Sequence, residues 1–182
     1  MNSQVTVQTI DAASRVLHGI SLKTPLEYNK RLSDIFAASI YIKREDLQEI
    51  RSYKIRGAYT LMHSLVKEEK QRGVVCASAG NHAQGVAKSA ALLKLRATIF
   101  MPINTPLQKI NKVKHFGKSW IDIQLIGTTY DACYHAAEAY GNQKGMVFVH
   151  AFDDPRTISG QGTVGKEIIE QLPETIDYIF FP

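Results

Sequence analysis

The chain has 182 residues, of which 45% are hydrophobic and 21% are charged, and its formal net charge is +5. These values are usual for a globular protein, and they exclude a disordered or collagen-like chain. The basic residues form no long run and no stripe interleaved with aromatic residues, which argues against nucleic-acid binding.

The first informative segment is RSYKIRGA, residues 51–58. It follows a β-like run at 39–43, and its apolar spacing predicts a helix from Ser52, as N-cap, to about Gly73. Lys54 then lies in the first turn, where the helix dipole disfavours a cation. Such a lysine, with two arginines nearby, would favour a neutral amine that can attack an aldehyde. A solvated surface charge is an equally consistent interpretation of these eight residues.

Strand-like and helical segments alternate through the rest of the chain. Residues 151–159 are predicted to form a loop, and Thr105, Gly117 and Gly141 are expected to cap or end helices. The predicted strands are 74–78, 97–102, 121–127, 146–150 and 178–181, and the predicted helices are 81–95, 105–117, 128–141 and 163–172.

This alternation predicts the α/β class, with an open, mainly parallel sheet and helices on both faces. Residues 52–150 form one compact unit, which we interpret as a complete smaller domain. Residues 1–51 and 151–182 are interpreted as part of a larger domain. Ligands in such sheets gather at the carboxyl ends of the strands.

One of those strand ends leads into CASAGNHAQGVA, residues 76–87. Small residues separate the strand from a helix that begins at Asn81, so backbone N–H groups and the positive end of a helix dipole face a ligand. The turn therefore predicts a carboxylate or phosphate site. A tight connection with Asn81 as a cap is the structural alternative, and a lone histidine such as His82 is more often structural.

Residues 160–167, GQGTVGKE, match glycine motifs for nucleotide phosphates. Those motifs require a strand leading directly into the glycines, and a P-loop requires Ser or Thr where Glu167 stands. We therefore interpret these glycines as sites of close helix packing.

The remaining signals concern location. Cys76 and Cys133 have no metal-type spacing, so we expect two buried free thiols, no metal site and a reducing, cytoplasmic compartment. The N-terminus has no signal or transit pattern, and no apolar run is long enough to span a membrane.

Three segments resemble one enzyme family. REDLQEIRSYKIRGA, SAGNHAQGVA and DDPRTISGQGTVGKEI are similar to signatures of the threonine/serine dehydratases. These enzymes use pyridoxal 5′-phosphate (PLP) and share the tryptophan-synthase-β fold, PLP fold type II. REDLQ favours the biosynthetic threonine dehydratases over the catabolic ones.

The resemblance implies a role for each site residue. Lys54 would bind the cofactor through its amine and later move the substrate α-proton. Tyr53 would flank the pyridine ring, and Asn81 would hydrogen-bond the ring hydroxyl. The substrate carboxylate would be held, largely by backbone N–H groups, by Ser78, Ala79, Gly80, Asn81 and His82.

The implied reaction converts L-threonine to 2-oxobutanoate and ammonia, the first step toward isoleucine, in a homo-oligomer. The family pattern continues beyond Pro182 into a phosphate-binding loop, so we expect an inactive or weakly active N-terminal fragment. A serine racemase or serine dehydratase of the same fold, and a non-catalytic anion-binding module, stay open as alternatives.

Overall fold

The computed structural model describes residues 4–172 and 175–181. Among these residues no helix is long and apolar enough to cross a membrane. The helices are α1 (Val7–Val16), α2 (Lys30–Phe36), α3 (Lys54–Ser64), α4 (Lys67–Arg72), α5 (Asn81–Leu93), α6 (Leu107–Gly117), α7 (Tyr130–Lys144) and α8 (Pro155–Gln171). The strands are β1 (Leu26–Tyr28), β2 (Tyr41–Lys43), β3 (Val74–Ala77), β4 (Ala97–Met101), β5 (Ile121–Leu125) and β6 (Val147–Phe148).

The main sheet has the strand order β5-β4-β3-β6, and all three of its strand pairs are parallel. Strands β1 and β2 form a separate antiparallel pair. The predicted open, mainly parallel sheet is therefore confirmed. Its carboxyl edge brings together the residues that follow β3 and β6, since those two strands are neighbours.

Alternate residues of the two central strands point to opposite faces of the sheet. Val74 and Cys76 of β3 belong to a buried cluster that includes residues of α3, α5 and α6. Val75 and Ala77 belong to a second cluster that includes Cys133 and Ala137 of α7. Helices thus cover both faces, as predicted, and both cysteines are buried free thiols.

Helices α3 and α8 cross closely because glycines stand at their contact. A Cβ atom at Gly160 would lie 2.5 Å from the carbonyl oxygen of Arg56, and one at Gly57 would lie 2.8 Å from Cγ2 of Thr157. Both glycines lie inside their helices rather than in a strand-to-helix loop. The interpretation of the glycines at 160–165 as sites of close packing is confirmed for Gly160 and for Gly162, where a Cβ atom would lie 2.9 Å from Cδ1 of Ile10, but it is wrong for Gly165, where a Cβ atom would meet nothing within 4 Å.

Two predicted helix boundaries are wrong at their C-terminal ends. The helix expected to reach Gly73 ends at Ser64, because the buried Leu65 is extended (φ −62°, ψ 140°) and a separate helix, α4, follows. Helix α7 continues past Gly141. This glycine instead packs closely against β3, since a Cβ atom added to it would lie 2.7 Å from Cγ1 of Val75. Gly145, with φ of +64°, ends that helix.

The predicted starts of three helices also need correction. Tyr53 rather than Ser52 occupies the N-cap position of α3, and Pro106 rather than Thr105 occupies that of α6. Helix α8 begins at Pro155, with the Asp154 carboxylate accepting from the Arg156 backbone N–H, so half of the predicted loop at 151–159 is helical. Residues 178–181 form no strand among the described residues, and their side chains are exposed.

Candidate active site

Lys54 is the first residue of α3, as the sequence predicted. Its backbone N–H donates to the Ser52 hydroxyl at 3.4 Å, so Ser52 assists the helix start although it is not the N-cap residue. The Lys54 amine donates a 3.0 Å hydrogen bond to the carbonyl oxygen of Ala151 and lies 5.0 Å from the centroid of the Tyr53 ring. The lysine therefore reaches the carboxyl edge of the sheet, since Ala151 follows β6 by three residues.

The turn at 78–82 lies at the same edge, directly after β3. The Ser78 backbone N–H extends the sheet by donating to the Phe100 carbonyl at 3.0 Å, and the Ser78 hydroxyl accepts from the Gly80 N–H at 3.2 Å. No side chain caps α5, and a Cβ atom at Gly80 would meet nothing within 4 Å. Asn81 is exposed at the first helical position. The turn thus presents open backbone at a helix N-terminus, which suits an anion.

His82 joins the turn to the neighbouring strand end. Its Nε2 atom donates to the Val149 carbonyl oxygen at 2.8 Å, because a carbonyl oxygen can only accept. The ring is 5% exposed, and Nδ1 has no hydrogen-bond partner among the described residues. The pKa of His82 is lowered to about 4, chiefly by burial and to a smaller extent by the nearby Lys54 and His150, although the hydrogen bond to Val149 opposes the shift. His82 is therefore a neutral imidazole with a buried, unused acceptor.

A third side chain, from Gln161 of α8, reaches the same carbonyl as Lys54. Its Nε2 atom lies 3.5 Å from the Ala151 oxygen, and its Oε1 atom is buried without a partner among the described residues. Sequence reasoning missed Gln161, although it stands inside the glycine motif at 160–165. The three residues 149–151 thus receive donors from α3, α5 and α8, and this segment brings the site together.

Arg56 does not act on Lys54 as the sequence suggested. Its side chain is 1% exposed, and its guanidinium donates to the carboxylates of Glu45 and Glu167 at 2.7–3.0 Å. Burial lowers the pKa of Arg56, but the hydrogen bonds to both carboxylates outweigh burial and raise it. Lys43 donates to Glu167 at 2.6 Å, which completes a buried ion network. Two carboxylates balance two cations, so little positive field from Arg56 reaches Lys54.

A cavity of about 250 Å³ adjoins this strand end. It borders on both Ala77, which precedes the turn, and Ala151, which accepts the Lys54 hydrogen bond. Four aromatic side chains give it an apolar wall, and their rings are linked by contacts such as that between Tyr134 and Phe148 at 5.1 Å. The aromatic lining residues are Tyr130, Tyr134, Phe148 and Phe152.

A larger, open groove of about 700 Å³ runs between the segment before α3 and the face of α6. Its lining includes Arg51, Gln84 and Lys112, but neither Lys54 nor any residue of 149–151. The larger groove therefore lies outside the cluster of donors and acceptors. Residues 149–151 line the smaller cavity, although neither Lys54 nor the turn at 78–82 does, and on the strength of residues 149–151 we place the candidate active site there.

Comparison with known proteins identifies the family of the chain. The family described as pyridoxal-phosphate dependent enzyme matches residues 19–182. The L-threonine dehydratase biosynthetic IlvA of Halalkalibacterium halodurans is 45% identical over 177 residues, covering 97% of this chain and 43% of the relative.

Two solved structures share the fold. The processed form of threonine deaminase isoform 2 from Solanum lycopersicum is 42% identical with a TM-score of 0.84, covering 91% of this chain and 45% of that one. A maize serine racemase is 30% identical with a TM-score of 0.87, and the match covers 93% of this chain and 51% of the racemase chain. The chain thus spans about half the length of these relatives or less. It belongs to the family of pyridoxal-phosphate-dependent enzymes and has their fold type II architecture.

Proposed function

We propose that this member of the PLP-dependent enzyme family is part of a biosynthetic threonine dehydratase, which converts L-threonine to 2-oxobutanoate and ammonia. The observation that carries the proposal is the position of the Lys54 amine, 3.0 Å from the Ala151 carbonyl at the carboxyl edge of the sheet. The names of the relatives and the signature at 44–58 support this activity over others in the family.

The residues present fit the cofactor. Lys54 offers an amine, Gly80 leaves open space beside the turn, and the buried His82 Nδ1 and Gln161 Oε1 atoms lack partners among the described residues. Lys54 would hold PLP through its amine, Tyr53 would flank the ring and Asn81 would bind its hydroxyl. When bound, PLP withdraws electrons from the substrate's α-carbon, so that the α-proton and then the β-hydroxyl can leave.

The chain's own groups would then orient the substrate and move its proton. Backbone N–H groups of 78–82 would hold the substrate carboxylate at the N-terminus of α5. The Lys54 amine would accept the α-proton, for which a neutral, correctly placed base is needed. The aromatic wall of the cavity would contact the methyl group of threonine and exclude water from that side.

A serine racemase or serine dehydratase is the second candidate, favoured by the similarity to the maize enzyme. Both candidates use the same lysine and the same turn. Steady-state kcat/KM values of the full-length protein for L-threonine and L-serine, with a separate measurement of D-serine formation, would distinguish them. A clear preference for threonine and no D-serine is the expected result.

The test of the enzyme class is reduction with borohydride in the presence of PLP, followed by peptide mapping. We expect one dominant label at Lys54 in the full-length protein and its loss in Lys54→Ala. Lys88 of α5, whose amine pairs with the Glu49 carboxylate at 2.7 Å, serves as an internal lysine control. Scattered labelling that includes Lys88 and leaves Lys54 unmodified would instead favour a non-catalytic anion-binding module.

The domain arrangement is proposed on the same basis. Residues 52–150 would form the smaller domain, since they contain the parallel sheet and the helices on both faces. Residues 1–51 and 151–182 would belong to a larger domain, supported by the packing of α1 against α8, with Lys166 and Asp11 paired at 2.5 Å. We also propose a homo-oligomer in the cytoplasm, where the two free cysteines would stay reduced.

The 182-residue segment, produced alone, is proposed to be inactive or weakly active. Binding the doubly charged PLP phosphate requires several convergent donors, and the donors identified here surround the amine and the turn instead. Assay of the purified segment for 2-oxobutanoate at saturating PLP tests this. Turnover close to that of the full-length protein would show that residues of this segment hold the phosphate.

A further inference from the structure

Gln161 is half-buried at the crossing of α3 and α8, and the buried Oε1 atom of its amide is unused among the described residues. A Cβ atom at Gly57 would lie 3.0 Å from Cδ of Gln161, so the absence of a side chain at residue 57 leaves the space that this amide occupies. The amide nitrogen lies 3.5 Å from the Ala151 oxygen, and Oε1 has no partner among the described residues. Leaving a buried acceptor unpaired destabilises this state of the site, so another state should use it.

The Lys54 amine shares an acceptor with this amide. It donates to the same Ala151 oxygen at 3.0 Å, and a carbonyl oxygen has two lone pairs that can receive both donors. The amide carries its oxygen and nitrogen on one carbon, so a rotation about the last side-chain bond turns Oε1 toward the Ala151 oxygen, to which the amine donates. An ammonium group has three N–H donors, and Ala151 uses only one of them.

We propose that Gln161 is a positioning residue for Lys54, whose Oε1 atom receives the lysine amine whenever that amine is not bound to the cofactor. The inference rests on the proposed function, because it assumes that Lys54 alternates between a bound and a free state. In the free state Ala151 and Gln161 together would hold the amine beside the cavity. The amine would therefore stay close to the substrate's α-carbon instead of swinging into solvent.

Other titratable groups surround this amine. Burial and Lys54 itself both lower the pKa of His82, so His82 is neutral and adds no second positive charge beside the amine. Arg56 and Glu167 are paired within the buried network, and Asp154 is paired with Arg156 at 2.8 Å. The titratable groups in the neighbouring segments are Arg51 and Arg56, which flank Lys54 in the chain, His82 of α5, and His150, Asp153, Asp154, Arg156 and Glu167 in the segment that runs from β6 through α8.

The experiment measures the pH dependence of Lys54 labelling by trinitrobenzenesulfonate in the cofactor-free, full-length protein, with mass spectrometry of the Lys54 peptide. Only the neutral amine reacts, so the midpoint of the profile reports on its protonation. In Gln161→Glu a carboxylate faces the amine, and we expect the midpoint to rise by about one pH unit or more. In Gln161→Met the acceptor is absent while the volume is similar, and we expect the midpoint to fall.

Gln108→Glu is the matched control, since Gln108 is exposed on α6 and the substitution adds the same charge. Its midpoint should equal that of the wild type. Opposite shifts in Gln161→Glu and Gln161→Met support the proposal. Equal midpoints in these two variants, or shifts in the same direction, overturn it. Failure of the proposed function is recognised separately, because PLP and borohydride would then leave Lys54 unlabelled in the wild type.

Discussion

Gly85 of α5 lies against the backbone of Lys54: a Cβ atom at residue 85 would be 2.8 Å from the Lys54 carbonyl oxygen and 3.0 Å from its carbonyl carbon. This contact holds the first turn of α3 beside the first two turns of α5. The lysine and the turn at 78–82 thereby keep a fixed separation, although they are 24 or more positions apart in the sequence.

Gly85→Ala is therefore expected to destabilise the protein. The added methyl group meets backbone rather than a flexible side chain, and overpacking of this kind costs about 1–3 kcal/mol. Urea unfolding of the full-length protein measures the loss, and borohydride labelling should show less PLP on Lys54. Gly165→Ala is the control, because its Cβ would meet nothing within 4 Å inside α8. That substitution should stabilise the helix by up to about 1 kcal/mol. Equal stability in the two variants would contradict the prediction.

Arg56→Met is expected to lower the free energy of unfolding more than the loss of an exposed ion pair does. It leaves the carboxylates of Glu45 and Glu167 buried without their main partner, and breaking a buried pair in this way costs about 3–5 kcal/mol. Thermal unfolding of the full-length protein checks the direction and size. Arg44→Ala, which removes exposed pairs with Glu27 and Asp46, should unfold close to the wild type. A similar effect of both substitutions would mean that the network adds little stability.

The lowered pKa of His82 predicts that the free energy of unfolding depends on pH. Its pKa is 6.5 in a model peptide and about 4 in the folded protein, chiefly because of burial. Between these values the unfolded chain binds more protons, so the contribution of His82 is complete above pH 6.5 and is lost as the pH falls toward 4. Between pH 7 and pH 5 the loss amounts to about 2 kcal/mol.

His82→Gln keeps a donor for Val149 and removes the titration. The difference in unfolding free energy between wild type and variant should therefore shrink by about that amount on going from pH 7 to pH 5. His135→Gln is the control, since the His135 side chain is 76% exposed. If the difference in unfolding free energy stays constant from pH 7 to pH 5, the pKa of His82 would have to be the same in the folded and the unfolded chain.

Much of the fold could be predicted because its signals are local. Apolar runs bounded by glycine or proline identified β3, β4 and β5, and helical periodicity identified α5 and α6. The start of α8 also had a local signal, an aspartate before a proline, which is a common N-cap pair and was missed. Gly141 was misinterpreted as a helix end, because its packing against Val75 depends on a residue 66 positions away.

The site was only partly predictable for the same physical reason. Lys54 and the turn at 78–82 could be proposed from the sequence because each lies in a short segment with an unusual local composition. Gln161 and Glu167 gain their roles only through the crossing of α3 and α8, which joins residues more than 100 positions apart. Single-sequence patterns carry no information on such pairs, so the buried network and the second acceptor near Lys54 required the structure.

The last prediction concerns the aromatic wall of the cavity. Phe152 follows Ala151 directly, lines the cavity and is 69% exposed, and we take its ring as the surface that the substrate side chain would contact. Threonine has one methyl group more than serine, and burying one such group contributes about 0.8 kcal/mol, a factor of about four in kcat/KM. Phe152→Ala should therefore lower the threonine-to-serine ratio of kcat/KM about fourfold, mainly through threonine. Phe36→Ala, at an exposed phenylalanine on α2, should leave the ratio unchanged. If the two variants gave the same ratio, the methyl group of threonine would have to lie elsewhere.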